Sequence, residues 1–128
     1  MNDNPKLERM KKRAAFLAAA KGASAARGAV VLQAVAREDG REAIGVGVTA
    51  TRRIGGAVVR NRAKRRLREA ARRLVPLHGR SGHDYVLIAR AGTAKRPWER
   101  LLDDVESALI SLAANPVPAA DRPAAVDR

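Results

Sequence analysis

Residues 57–75, AVVRNRAKRRLREAARRLV, decide how this chain folds. Val59, Ala63, Leu67, Ala70 and Leu74 follow one another in steps of 4, 4, 3 and 4. At about 100° per residue that spacing draws one apolar stripe along a helix. Asn61, Lys64, Arg65, Arg68 and Arg72 fall on the opposite side, and Arg60 and Arg62 flank the stripe. Gly55-Gly56 breaks the pattern before the segment and Pro76 follows it, so the predicted helix runs from 57 to 75. One side packs, and the rest presents guanidinium groups.

The flanking sequence supplies a sheet for that helix. Residues 29–36 (AVVLQAVA) read as a short buried strand, and in 43–50 Ile44, Val46 and Val48 alternate with Gly45, Gly47 and Thr49. The polar stretch 37–42 places Asp39-Gly40 at a turn between them, which predicts an antiparallel hairpin. The small residues of 43–50 leave one face open to close approach by another group. A third strand is predicted over Asp84–Ala89 after the loop 76–83. Helices are predicted over 5–21 and about 97–113, the latter with the stripe Trp98, Leu101/Leu102, Val105, Leu109 and Leu112. The expected fold class is α+β, a small sheet covered by helices, with 43–89 long enough for a βαβ crossover. Residues 1–113 read as a single domain, and the Pro/Ala-rich stretch 114–128 as a disordered tail.

Charge is concentrated in one element. The 128 residues carry 26 Lys and Arg against 13 Asp and Glu, a net charge of +13. Residues 52–73 hold ten of those basic side chains and one of the acids, Glu69, a local +9. Like charges at i,i+4 repel, so a solvated helix face normally mixes signs. This density points to a polyanion, and nucleic acid is the usual one in a cytosol. With no cysteine, thiolate chemistry, disulfides and zinc fingers are excluded. No apolar run approaches a membrane span or a signal segment, so a cytoplasmic protein without membrane contact is expected.

Few residues look capable of bond-breaking. His78 and His83 share a Gly-rich loop with only Asp84 nearby as a third ligand, and exposed loop histidines are the preferred reading. Glu99, Asp103, Asp104 and Glu106 are read as a solvated face of the last helix, not as carboxylates converging on metals. Gly55-Gly56 lacks the Gly-Lys-Ser/Thr ending of a P-loop and is read either as a phosphate approach or as a plain strand-to-helix turn. Catalytic and metal-ligating residues are therefore expected to be absent. Within the 60–68 run, arginine forks match phosphate oxygens, and Asn61 offers a donor and an acceptor to a base edge, a 2′-hydroxyl or a hydrated cation. Phe16, Tyr85 and Trp98 are too few for a base-stacking platform. Tyr85 and Trp98 fit core or interface positions; Phe16 is divided between core packing and a nucleotide-facing role.

Thr51 to Glu69, TRRIGGAVVRNRAKRRLRE, resembles the signature of the bacterial ribonuclease P protein subunit family, an Arg-Asn-Arg-x-Lys-Arg-x-x-Arg helix after a basic pair and an Ile-Gly loop. Lys11–Phe16 and Asp84–Arg90 resemble the family's first helix and late strand, so the likeness spans about 9–112. It implies a two-layer α/β sandwich of about αβββαβα order. It also implies a left-handed crossover, against the general right-handed rule. It further implies a protein that assists a catalytic RNA in cutting the 5′ leader from precursor tRNA, with Mg²⁺ in the holoenzyme bound mainly by RNA. The protein is then a monomer in a 1:1 complex with that RNA. By resemblance Arg52, Arg53, Arg60, Asn61, Arg62, Lys64, Arg65 and Arg68 contact RNA, while Lys12, Arg13 and Phe16 line the cleft for the single-stranded leader. Two departures stand out: Gly56 replaces a common Asn, and Ala20 and Val30–Leu32 stand where aromatics are frequent. The alternative function is a structural, ribosomal-type RNA-binding protein with no processing role.

Overall fold

A computed structural model of the chain describes residues 6–114. In chain order the elements are β1 (Leu7–Arg9), α1 (Arg13–Ala20), β2 (Ala23–Arg27), β3 (Val30–Ala36) and β4 (Ile44–Thr49). After a 3₁₀ turn at Arg52–Ile54 come α2 (Ala57–His78), β5 (His83–Ala89) and α3 (Trp98–Ala113). The five strands form one sheet in the order β1-β4-β5-β3-β2. The α+β class holds, with α2 and α3 on one face and α1 on the other.

The sheet order overturns the predicted hairpin between 29–36 and 43–50. β5 lies between those strands, antiparallel to β3 and parallel to β4. The reason is its composition: Tyr85, Leu87 and Ala89 pack toward α2 and α3 while Val86 is buried toward α1, and a strand apolar on both faces belongs in the middle. The 37–43 connection therefore passes the end of β5, clasped by Arg37. That side chain donates to Asp84 Oδ1 at 2.8 Å and to the Ala43 carbonyl at 2.6 Å. The actual hairpin is β2–β3, turning at Gly28 with φ +48°. β2 is an edge strand of sequence ASAAR, without the β-branched residues that would announce it.

The helix predicted over 5–21 is only Arg13–Ala20, preceded by a strand. Leu7 packs into the core beneath α2, whereas Met10 packs under α1 on the opposite face. A helix would turn residues three apart to the same side. The Ile44 N–H donates to the Lys6 carbonyl and the Met10 N–H to the Val46 carbonyl, both at 2.9 Å, so β4's edge captures this segment. α2 in turn runs three residues beyond the predicted end, with Pro76 inside its last turn. Buried Leu74 and Val75 hold that turn to the core, and the Gly79 N–H closes it on the Val75 carbonyl at 2.7 Å. Residues 115–128 of the expected tail lie outside the described residues.

Leu32, Leu67, Leu87, Leu101 and Leu109 are fully buried between the sheet and α2/α3. Burial of each such side chain stabilises the fold by about 1.5–3 kcal/mol. α2 meets this layer through Ala63, Ala70 and Ala71 as well as Leu67 and Leu74. These small residues bring its axis close to the sheet and leave its charged side outward. No helix among the described residues is long and apolar enough to cross a membrane.

Candidate nucleic-acid interface

α2 is 22 residues long, about 33 Å of rigid rod at 1.5 Å per residue. Asn61, Arg65 and Arg68 are exposed on it and Lys64 is half-buried. Together with Val58 they surround a shallow concavity. None of Lys64, Arg65 or Arg68 has an acidic partner among the described residues, and the Asn61 amide makes no hydrogen bond there. Arg52 and Arg53, on the 3₁₀ turn leading into the helix, are exposed and likewise unpaired. Gly55 has φ +146°, and a β-carbon there would fall 2.9 Å from the Val59 side chain, so this entry turn requires glycine. Gly56 is the helix N-cap with nothing near its Cα hydrogen, and the pair makes a strand-to-helix turn.

The remaining α2 cations divide by flank. Arg62 is exposed, yet its Nε donates to the Ala94 carbonyl at 2.9 Å. Arg66 donates to the carbonyls of Thr93 and Arg96, and burial together with the neighbouring Arg62 charge lowers its pKa. These two side chains pin the 90–96 loop to α2, a role the sequence did not disclose. Arg66 and Arg73 each lie over the Trp98 ring, at 5.7 and 5.5 Å from its centroid. Farther along, Glu69 bonds both Arg72 and Arg73, which lower its pKa from 4.5 to about 2. The Arg60 Nε is buried without a hydrogen-bond partner.

On the other flank of α2 lies a groove of about 400 Å³, lined by Met10, Phe16, Gly47, Lys64, Arg68 and Arg72 among others. β1 pairs with β4 only as far as Val46, leaving the Gly47–Thr49 edge beside it without a strand partner. Phe16 packs on the Met10, Val35 and Val86 cluster, the core reading of that residue, and its ring also lines the groove. Its seat depends on Gly47, where a β-carbon would sit 2.6 Å from the ring. Lys12 and Arg13 are exposed at the start of α1, outside the groove lining.

The candidate chemical residues scatter. His78 ends α2 and pairs with Glu106 at 2.9 Å, His83 Nδ1 lies 2.9 Å from the Ser81 carbonyl, and Asp84 is committed to Arg37. Asp104 corrects the expectation of a wholly solvated acidic face: it is buried, accepting from the Ala29 N–H at 2.9 Å and from Arg96 at 2.7 and 3.0 Å. It lies one turn after Leu101 and one before Ala108, so helical spacing turns it inward. Tyr85 is buried as expected, its hydroxyl accepting from the Arg80 N–H at 3.0 Å. Among the described residues no three His, Asp or Glu gather where a metal could bind.

Fold and site define a class: small basic α+β proteins whose crossover helix, joining parallel neighbouring strands, carries an unneutralised cationic face beside a half-apolar groove. A family model described as Ribonuclease P matches residues 5–113. The Ribonuclease P protein component of Caulobacter vibrioides is 62% identical over 110 residues, covering 86% of this chain and 74% of the relative. That of Ruegeria pomeroyi is 50% identical over 105 residues, covering 80% and 84%. Among solved structures, the Staphylococcus aureus RNase P protein aligns with TM-score 0.69 and 27% identity over 84% of this chain and 97% of that one. The Thermotoga maritima protein aligns with TM-score 0.69 and 25% identity, covering 81% and 96%. The chain belongs to the ribonuclease P family, as an RNA-binding protein subunit of that tRNA-processing endoribonuclease.

Proposed function

We propose that the exposed side of α2 docks on the catalytic RNA of ribonuclease P, and that the Phe16 groove receives the single-stranded 5′ leader of precursor tRNA. Asn61, Lys64, Arg65 and Arg68, with Arg52, Arg53 and Arg60, are the RNA-contacting residues. One observation carries the reading: a rigid helix presents Lys64, Arg65 and Arg68, which no acid among the described residues neutralises, next to a groove with an aromatic wall. Lys64 and Arg68 belong to both surfaces, so the helix that meets the RNA also borders the leader path. Arg62 contributes chiefly by holding the 90–96 loop.

Catalytic RNA and substrate are both polyanions that repel at close range. A cationic protein between them screens that repulsion and raises substrate and metal-ion affinity. In this reading RNA holds the Mg²⁺ ions of the holoenzyme and breaks the phosphodiester bond, and the protein assists by binding. The assembly is read as one protein per RNA, working in the cytoplasm. Reconstitution tests this: protein alone leaves precursor tRNA uncut, and adding it to the cognate RNA at low Mg²⁺ restores leader removal. No rescue under those conditions contradicts the proposal.

A further inference from the structure

The two ends of the sheet differ in charge. At the end where β3 begins and β5 finishes, the exposed acids Glu38, Asp39 and Glu42 are absent; those lie at the opposite end, mixed with Lys21, Arg41 and Arg80. The first end carries exposed Arg52, Arg53, Arg90, Lys95 and Arg100. Its acids are exposed Glu99 and Asp103 and buried Asp104, the last already paired with Arg96. Lys95 and Arg100 have no ion pair among the described residues, with Glu99 or Asp103 included.

Lys95 is not an isolated surface lysine. It follows Ala94, whose carbonyl accepts from Arg62, and precedes Arg96, whose carbonyl accepts from Arg66. Thr93, wholly buried, locks the same loop: its hydroxyl donates to the Ala29 carbonyl at 2.7 Å and accepts from the Arg90 N–H at 2.7 Å. The loop is thus held rigidly against α2, and Lys95 borders a concavity of about 380 Å³ with Gly28, Gly92 and Pro97. Arg100 stands in the first turn of α3 immediately beyond.

We infer that the RNA-docking surface continues from α2 across this loop onto the start of α3, where Lys95 and Arg100 hold phosphates of the ribonuclease P RNA. The inference rests on the reading of α2 given above. The ligand is the RNA subunit and not the leader because of position: the Phe16 groove opens on the Lys64, Arg68 and Arg72 flank of α2, whereas the 90–96 loop is fixed on the Arg62 and Arg66 flank. Both cations sit on exposed backbone already ordered by other residues, so binding them to phosphate requires little further ordering.

The test is equilibrium binding of the full-length protein to in vitro transcribed cognate RNA across a salt series. The Lys95→Glu/Arg100→Glu variant is expected to bind about tenfold or more weakly at 0.15 M salt, with the log–log slope shallower by roughly 1.4–1.8 for two lost phosphate contacts. The milder Lys95→Gln/Arg100→Gln variant shifts both readings in the same direction, and Lys21→Glu/Arg80→Glu at the opposite end leaves both unchanged. Unaltered binding by both loop variants, while Arg65→Glu/Arg68→Glu abolishes it, overturns the inference and spares the reading of α2. Unaltered binding by the Arg65→Glu/Arg68→Glu variant as well overturns both. Normal RNA binding with weakened leader-dependent substrate affinity reassigns the two cations to substrate and also overturns the inference.

Discussion

The Phe16 ring rests against the Gly47 backbone so closely that a β-carbon added there would fall 2.6 Å from Cε1 and 2.7 Å from Cζ. Among the described residues the ring is the one aromatic wall of the groove, and glycine at 47 is what lets it lie on the sheet. Gly47→Ala is therefore expected to push Phe16 toward the groove and to destabilise the fold by about 1–3 kcal/mol, the usual cost of overpacking. Urea unfolding measures the second effect. The first is read as weaker binding of precursor tRNA carrying a leader, with substrate lacking a leader unaffected.

Asp104 gives a prediction that separates structure from catalysis. Its carboxylate ties the β2–β3 turn to α3 and neutralises Arg96. Asp104→Ala leaves the Ala29 N–H and a guanidinium without their partner, and is expected to cost about 2–4 kcal/mol in denaturant unfolding. Asp104→Asn keeps an acceptor for Ala29 and is expected to cost less. Cleavage by the reconstituted enzyme at a temperature where each variant is folded remains at the wild-type rate. A large loss of cleavage by folded Asp104→Asn would instead mark a carboxylate that takes part in the chemistry.

Glu69 makes stability depend on pH in a definite window. Hydrogen bonds from Arg72 and then Arg73 lower its pKa from 4.5 to about 2 in the folded protein. A depressed carboxylate pKa means the unfolded state binds the proton first. Its stabilisation is complete above about pH 4.5 and is lost as pH falls from there toward 2. Glu69→Gln is expected to flatten the fall in melting temperature over that interval relative to wild type. Parallel curves for the two proteins would contradict the assignment.

Removing Glu69 has a second consequence. Arg72 and Arg73 lose their carboxylate partner, and Arg72 lies on the groove lining. At neutral pH Glu69→Gln is expected to bind RNA at least as tightly as wild type, with an equal or steeper salt dependence, because counterion release follows the number of cations meeting phosphate. A binding isotherm repeated at several salt concentrations measures it.

What the sequence displayed follows from periodicity. The stripe Ala63-Leu67-Ala70-Leu74 fixes α2's buried side with no help from context, and the same holds for Leu101, Val105 and Leu109 in α3. The alternation in 43–50 revealed β4 and its small-residue face, on which Phe16 and Met10 now lie. Elements decided by distant partners were hidden. β1 exists because β4 offers a free edge, and its three residues carry no period of their own. β5 separates β3 from β4 through burial on both faces, which a short turn between two strands conceals. In the site, the cationic face of α2 was legible as charge density. The division of labour within it was not: Arg62 and Arg66 look like their neighbours until the 90–96 carbonyls are seen beneath them.

The central claim is that the outward cations of α2 hold the RNA, and charge reversal on that face addresses it most directly. Arg65 and Arg68 are exposed and make no contact on which the fold depends, so Arg65→Glu/Arg68→Glu is expected to keep its circular dichroism and melting temperature. Binding of this variant to the cognate ribonuclease P RNA, measured by titration at near-physiological salt, is predicted to be lost. A folded variant that binds that RNA with wild-type affinity would contradict the account.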